Sequence, residues 1–221
     1  MLKYLVFDTE TSGLPDYAAP ADDPNQPRLA EFAGITVSFD PEDGAPAVIA
    51  TEPYLVKPDG WVMEAQATAV NGLTTEYLIE HGKPLSGLLA AYVEAIKAGC
   101  IMVAFNARHD LKVMRGELRR AGMEDMFEQT PNICLMRSSW QKALDMRKAD
   151  GSRRGWPALT DACRHFGLDH ADDHRAASGA RNALGVFLKL REIGMLLPAE
   201  IHYAKNKPQP DPQGSLPTMD F

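Results

Sequence analysis

At 221 residues, with 45% hydrophobic and 24% charged side chains, the chain has the makeup of one soluble globular domain of ordinary to large size. A formal net charge of −7 argues against a protein that coats nucleic acid nonspecifically, while leaving room for a local basic groove. No apolar run reaches bilayer-spanning length, no signal-peptide order opens the chain, and Cys100, Cys134 and Cys163 are too scattered for a disulfide frame, so a cytoplasmic location without membrane contact is expected.

The first element carries the strongest chemical signal. Tyr4 to Phe7 is an apolar strand running into Asp8-Thr9-Glu10-Thr11-Ser12-Gly13, acids followed by a turn of small residues. Strand alternation puts Tyr4, Val6, Asp8 and Glu10 on one face. Two neighbouring carboxylates repel unless a cation lies between them, and hard divalent cations such as Mg²⁺ take such oxygen ligands. Leu14 to Pro27, rich in proline and aspartate with little to pack, reads as a surface loop inserted beside this turn. Leu29–Phe39 and Ala47–Val56 read as second and third strands joined by a turn over Asp40–Pro46.

Ala65 to Leu78 reads as a short helix, a break at Asn71-Gly72, and a second helix capped by Thr74 or Thr75. Leu85–Ala98 has helical periodicity, and Cys100–Phe105 is a wholly apolar strand ending at Asn106-Ala107-Arg108-His109-Asp110. The next helix is two-faced: Leu111, Met114, Leu118 and Ala121 against Arg108, Lys112, Arg115 and Arg119, a stripe that either is solvated or contacts phosphate. Ile133–Met136 suggests a short strand, and Arg147–Gly155 a basic loop centred on Arg153-Arg154. Leu159–Phe166 forms a short helix closed by Gly167, and Asp172-Asp173-His174 leads into a last long helix that runs to about Glu192. Strands followed by alternating helices and strands indicate a single α/β domain with a mixed sheet over residues 1–195, and residues 196–221 form a proline-rich tail.

Five motifs in register carry a family resemblance: Phe-Asp-Thr-Glu-Thr-Ser-Gly (7–13), Ala-Val-Asn-Gly-Leu-Thr (69–74), Val-Ala-Phe-Asn-Ala-Arg-His-Asp (103–110), Leu-Thr-Asp-Ala-Cys-Arg-His-Phe-Gly (159–167) and His-Arg-Ala-Ala-Ser-Gly-Ala (174–180). From about residue 3 to 192 the chain resembles the DnaQ-like exonucleases of the DEDDh class, the family of proofreading epsilon subunits, exonuclease X and ribonuclease T. The resemblance implies a ribonuclease-H-like mixed β-sheet flanked by helices. It also implies hydrolysis of DNA, or RNA, from the 3′ end, releasing nucleoside 5′-monophosphates with two Mg²⁺ or Mn²⁺ ions. By position, Asp8, Glu10 and Asp110 are then the metal acids and His174 the general base. Thr9 and Thr11 fall at the terminal 3′ hydroxyl, Leu14, Val70 and Asn71 around the last bases, and Asn106 behind the turn that presents Asp110. Arg108 begins the basic stripe beside them. The implied partner is a nucleic-acid 3′ end, single-stranded DNA first, with a polymerase or a second copy of the chain left open.

The family's fourth metal acid falls five residues after the histidine, where this chain has Gly179. Asp172 and Asp173 precede the base and stand on the wrong side of the helix start to replace it. Impaired catalysis is therefore expected, and the alternative is a catalytically inactive domain that binds nucleic acid or a partner protein. A structural Zn²⁺ on Cys163, His165, His170 and His174 is a further alternative.

Overall fold

The structure, a computed structural model, describes residues 2–139, 150–151, 156–171 and 173–201. Its centre is an antiparallel pair, β1 (Lys3–Thr11) and β2 (Leu29–Phe39), in unbroken register until a bulge after Glu10. Two short strands, β3 (Pro46–Ala50) and β4 (Tyr54–Leu55), pair with β2 on its outer edge. On the other side β5 (Ile101–Ala104) runs parallel to β1, and β6 (Asn132–Cys134) parallel to β5. The sheet order is β3-β2-β1-β5-β6, the mixed sheet expected from the sequence.

Helices cover both faces: α1 (Ala65–Asn71), α2 (Thr75–His81), α3 (Leu85–Lys97), α4 (Ala107–Arg120), α5 (Leu135–Ser139), α6 (Leu159–His165) and α7 (Ala176–Glu192). The alternation of β1 explains the layering. On one face Tyr4 meets Phe187 of α7 with ring centroids 5.1 Å apart. On the other Phe7 stacks on Phe32 at 5.5 Å and meets Tyr92 of α3 edge-on at 5.9 Å. Phe7 and Phe187 are fully buried, and each such side chain contributes roughly 1.5–3 kcal/mol through removal of apolar surface from water. Asp8 and Glu10 therefore stand on the α7 face of the central strand.

Two expected elements differ. The third strand is split between Ala50 and Tyr54, because Pro53 has no N–H to give the ladder. Only Ile133 and Cys134 of the expected Ile133–Met136 strand pair with β5; from Leu135 the chain turns into α5, with the Met136 amide donating to Phe105 O at 2.8 Å. Capping follows the sequence: Gly72 ends α1 at φ 70°, and the Thr74 hydroxyl accepts from Tyr77 N. Among the described residues no helix is long and apolar enough to cross a membrane. Arg153-Arg154 and Asp172 lie outside the described residues.

Candidate active site

The acids of β1 are in an unfavourable setting without a counter-ion. Asp8 receives no hydrogen bond from the described residues, and its carboxylate lies against Gly179 of α7, in the space a side chain there would need. Burial first, then the charges of Asp110, Glu10 and Glu31, hold the Asp8 carboxyl well above the usual carboxylate range. Burial likewise raises Glu10 to about 7, opposed by the hydrogen bond from Asn71 and raised further by Glu31 and Asp110. Asn71, the last residue of α1, is buried and splits its amide between Glu10 Oε2 (3.5 Å) and Thr11 O (3.3 Å).

Asp110 reaches the site from the first turn of α4, beyond the end of β5. Its Oδ1 accepts from Thr9 N at 3.1 Å and Thr9 Oγ1 at 2.7 Å, so both donors of Thr9 hold the second acid rather than pointing into open space. Burial raises the proton affinity of Asp110, opposed first by His109 and then by the Thr9 bonds. Asn106 caps α4 and its carbonyl accepts from His109 N at 2.8 Å, which supports the turn that presents Asp110. The Thr11 hydroxyl donates to Gly13 O at 2.7 Å and closes the turn after β1.

His174 borders a cleft of about 240 Å³ together with Asp8, Glu10, Arg175, Ser178 and Gly179. It is exposed and adopts the left-handed backbone region, φ 47°. Asp173, which precedes the start of α7, lines this same cleft. Its carboxylate nevertheless serves the helix start, accepting from Arg175 N at 3.3 Å and Ser178 Oγ at 3.0 Å. Around the other side of Glu10 a second cleft of about 310 Å³ gathers Thr9, Thr11, Leu14, Val70, Asn71 and His109. Leu14 and Val70 are 86% and 56% exposed there.

The insert over Leu14–Pro27 is better packed than its composition suggests. Gln26 is buried and ties Asp16 to Pro20 through its amide, and Tyr17 lies under the Arg108 guanidinium at 4.4 Å from the ring centre. The basic stripe of α4 faces this insert instead of water alone. Lys112 Nζ donates to Ala19 O at 2.6 Å, Arg119 pairs with Asp22 and Asp125, and Arg115 with Asp125. Cys163, His165 and His170 do not gather with His174: among the described residues no three His, Cys, Asp or Glu side chains converge in metal-ligand geometry.

That statement includes Asp8, Glu10 and Asp110, whose carboxylates face Gly179, Asn71 and Thr9 respectively. The chemistry of the donor set still fits a hard divalent cation. Three carboxylates have raised proton affinity, one of them accepting no hydrogen bond among the described residues, and such a cation would offset their mutual repulsion.

Glu31 and Arg175 were not singled out in the sequence. Glu31 sits opposite Glu10 in the β1–β2 ladder, fully buried, and is bound by the Arg175 guanidinium. The available signal was an acid in the apolar run Leu29-Ala30-Glu31-Phe32-Ala33, where an unpaired charge is not tolerated.

The sequence profile of the exonuclease family, RNase_T, matches residues 5–187. No curated protein matches the chain. Solved structures do. Escherichia coli exonuclease I in complex with a dA16 oligonucleotide superposes with a TM-score of 0.67 at 17% identity, over 87% of this chain and 41% of that one. The zinc-bound form of the same enzyme's complex with single-stranded DNA gives 0.65 at 20% identity, over 88% and 42%. The exonuclease I of Methylocaldum szegediense gives 0.64 at 22% identity, over 87% and 41%. These likenesses establish the fold, and the chain spans about four-tenths of the length of each.

Proposed function

This chain belongs to the exonuclease family, and from that premise we propose that it is built to remove nucleotides from the 3′ end of single-stranded DNA by divalent-metal-dependent hydrolysis. The observation that carries the reading is spatial. Strand β1 presents Asp8 and Glu10 to a cleft bordered by His174, while Thr9 of the same strand holds Asp110. Asp8, Glu10 and Asp110 would hold Mg²⁺ or Mn²⁺, two ions when both sites fill, which supply the charge that neutralises the scissile phosphate.

The protein's own residues divide the remaining work. His174 stands at the solvent side of the cleft, suited to take a proton from the attacking water near neutral pH. Leu14 and Val70 offer apolar contact to the terminal base, and Arg108 supplies charge beside the strand. Gly179 leaves the fourth acid position empty and lets Asp8 fold toward α7. Impaired turnover with retained binding of DNA ends follows from that contact, and a purely binding role is the second reading it favours.

The test is incubation with 3′-labelled single-stranded DNA, duplex DNA and RNA in Mg²⁺ or Mn²⁺, beside Asp8→Ala. Shortening from the 3′ end that Asp8→Ala abolishes is the expected result. Cleavage unaffected by that substitution would refute the assignment, and DNA-end binding without cleavage would establish the binding role.

A further inference from the structure

We propose that the Glu31–Arg175 pair is a latch that holds His174 against the cleft, so that both residues act as positioning residues for the base. The inference rests on the reading of His174 given above and concerns what places it.

Glu31 is a costly residue where it stands. It is 0% exposed, within the apolar run Leu29-Ala30-Glu31-Phe32-Ala33 that opens β2. A buried carboxylate needs several donors, and a well-packed apolar side chain often serves stability as well or better. Here the donors all come from the two residues directly after His174. Arg175 Nη2 donates to Oε1 at 2.6 Å, Arg175 Nε to Oε2 at 3.0 Å, and Ala176 N to Oε2 at 3.0 Å. One carboxylate from β2 thus fixes a side chain and a backbone amide at the start of α7, 144 residues along the chain.

The clamp acts on a strained turn. His174 is one of two non-glycine residues at positive φ among those described, a conformation that persists only where its surroundings dictate it. From the far side Asp173 accepts from Arg175 N and Ser178 Oγ, so His174 lies between two anchored residues. Glu31 is also the ladder partner of Glu10. Facing carboxylates in adjacent strands repel, and the Arg175 charge offsets that repulsion while lowering the proton affinity of Glu10. The spatial relation of Glu10 to His174 therefore passes through one fork-shaped ion pair, whose planar two-point geometry lysine does not reproduce. Base catalysis is sensitive to errors of about an ångström or less, which gives such a latch its consequence.

The experiment uses Arg175→Lys and the neutral double variant Glu31→Gln with Arg175→Gln, each in the full chain and each also with His174→Ala. With single-stranded DNA and Mn²⁺, each is expected to lower kcat roughly ten- to hundredfold with KM within about twofold. In the His174→Ala background the same changes are expected to cost less than about twofold, because there is no base left to misplace. Independently, the imidazole resonance of His174, identified by its loss in His174→Ala, is followed by NMR without DNA or metal. It is expected to move and broaden in the latch variants while those of His81 and His165 stay in place. An unmoved His174 resonance, or an equal kinetic loss with and without His174, overturns the latch. If the parent chain cleaves nothing, the functional reading fails on its own and the resonance alone decides the latch. Should the neutral double variant not fold, Arg175→Lys, which keeps the charge, carries the same readouts.

Discussion

Placing an acid at residue 179 sets the proposed metal site against the packing around Asp8. A Cβ there would come within 2.5 Å of Asp8 Cγ and 3.2 Å of Asp8 Cβ, so even Gly179→Ala forces the Asp8 side chain to rotate off α7. Overpacking of this kind costs about 1–3 kcal/mol, against which replacing glycine inside a helix returns about 0.5–1 kcal/mol. A net loss of about 1 kcal/mol corresponds to a fall in Tm of about 3 °C for a chain of this size. Gly179→Asp should fall further in EDTA, because it adds a fourth carboxylate beside Asp8, Asp110 and Glu10. With Mn²⁺ the order should reverse. Rotated away from α7, Asp8 faces the cleft with a new ligand beside it, and each tenfold gain in ion affinity adds about 1.4 kcal/mol at saturating ion. Thermal unfolding of the parent, the Ala variant and the Asp variant, in EDTA and in Mn²⁺, reads this directly. A 3′-end hydrolysis assay should show the Asp variant at least about tenfold faster than the parent. The reasoning fails if the Mn²⁺-induced rise in Tm is no larger for Asp than for Ala, or if the parent already hydrolyses at the rate of the Asp variant.

Three further outcomes are expected. Because Glu10 is raised from 4.5 to about 7, with Asp8 shifted the same way, the fold favours their protonated forms. That stability is fully present below about pH 4.5 and lost as pH rises through 7, so metal-free Tm should decline across this window. The decline should flatten in Glu10→Gln, and a parent profile already flat would contradict it. Thr9→Val removes the 2.7 Å bond to Asp110 at nearly constant shape and should cost about 1.5–3 kcal/mol by urea unfolding, with Thr9→Ser recovering most of it. Arg108→Ala should reduce the slope of log affinity for single-stranded DNA against log salt by about 0.7, one phosphate contact's worth. An unchanged slope would exclude a phosphate contact at Arg108.

What the sequence made legible was whatever depended on local order. The alternation of Tyr4, Val6, Asp8 and Glu10 placed both acids on one face before any partner was known, and that face is the one α7 covers. The two-faced helix after Asn106 and the glycine at the end of α1 were equally local. Where the reading fell short, the missing quantity was a distance between remote segments. The stripe on α4 was open to two readings, a solvated face or a phosphate contact, and neither included the insert, because nothing in the sequence says that the Asp16–Gln26 turn folds back onto it, bringing Ala19 O to Lys112 and Asp22 to Arg119.

Glu31 is the clearest case. As one charge in an apolar strand it called for a counter-ion, but Arg175 lies 144 residues away and comes into reach only through the register of β2 against β1 and the docking of α7. The same packing explains why Gly179 reads differently in three dimensions. In the sequence it is a missing ligand. In the fold it is also the gap that admits the Asp8 carboxylate, which no described residue hydrogen-bonds. Asp8 therefore has a glycine to lean on, where an acid at residue 179 would repel it in the absence of metal. The weak metal affinity proposed above and the retained fold would then share one origin: with glycine at residue 179 the metal-free protein has one carboxylate fewer to accommodate beside Asp8.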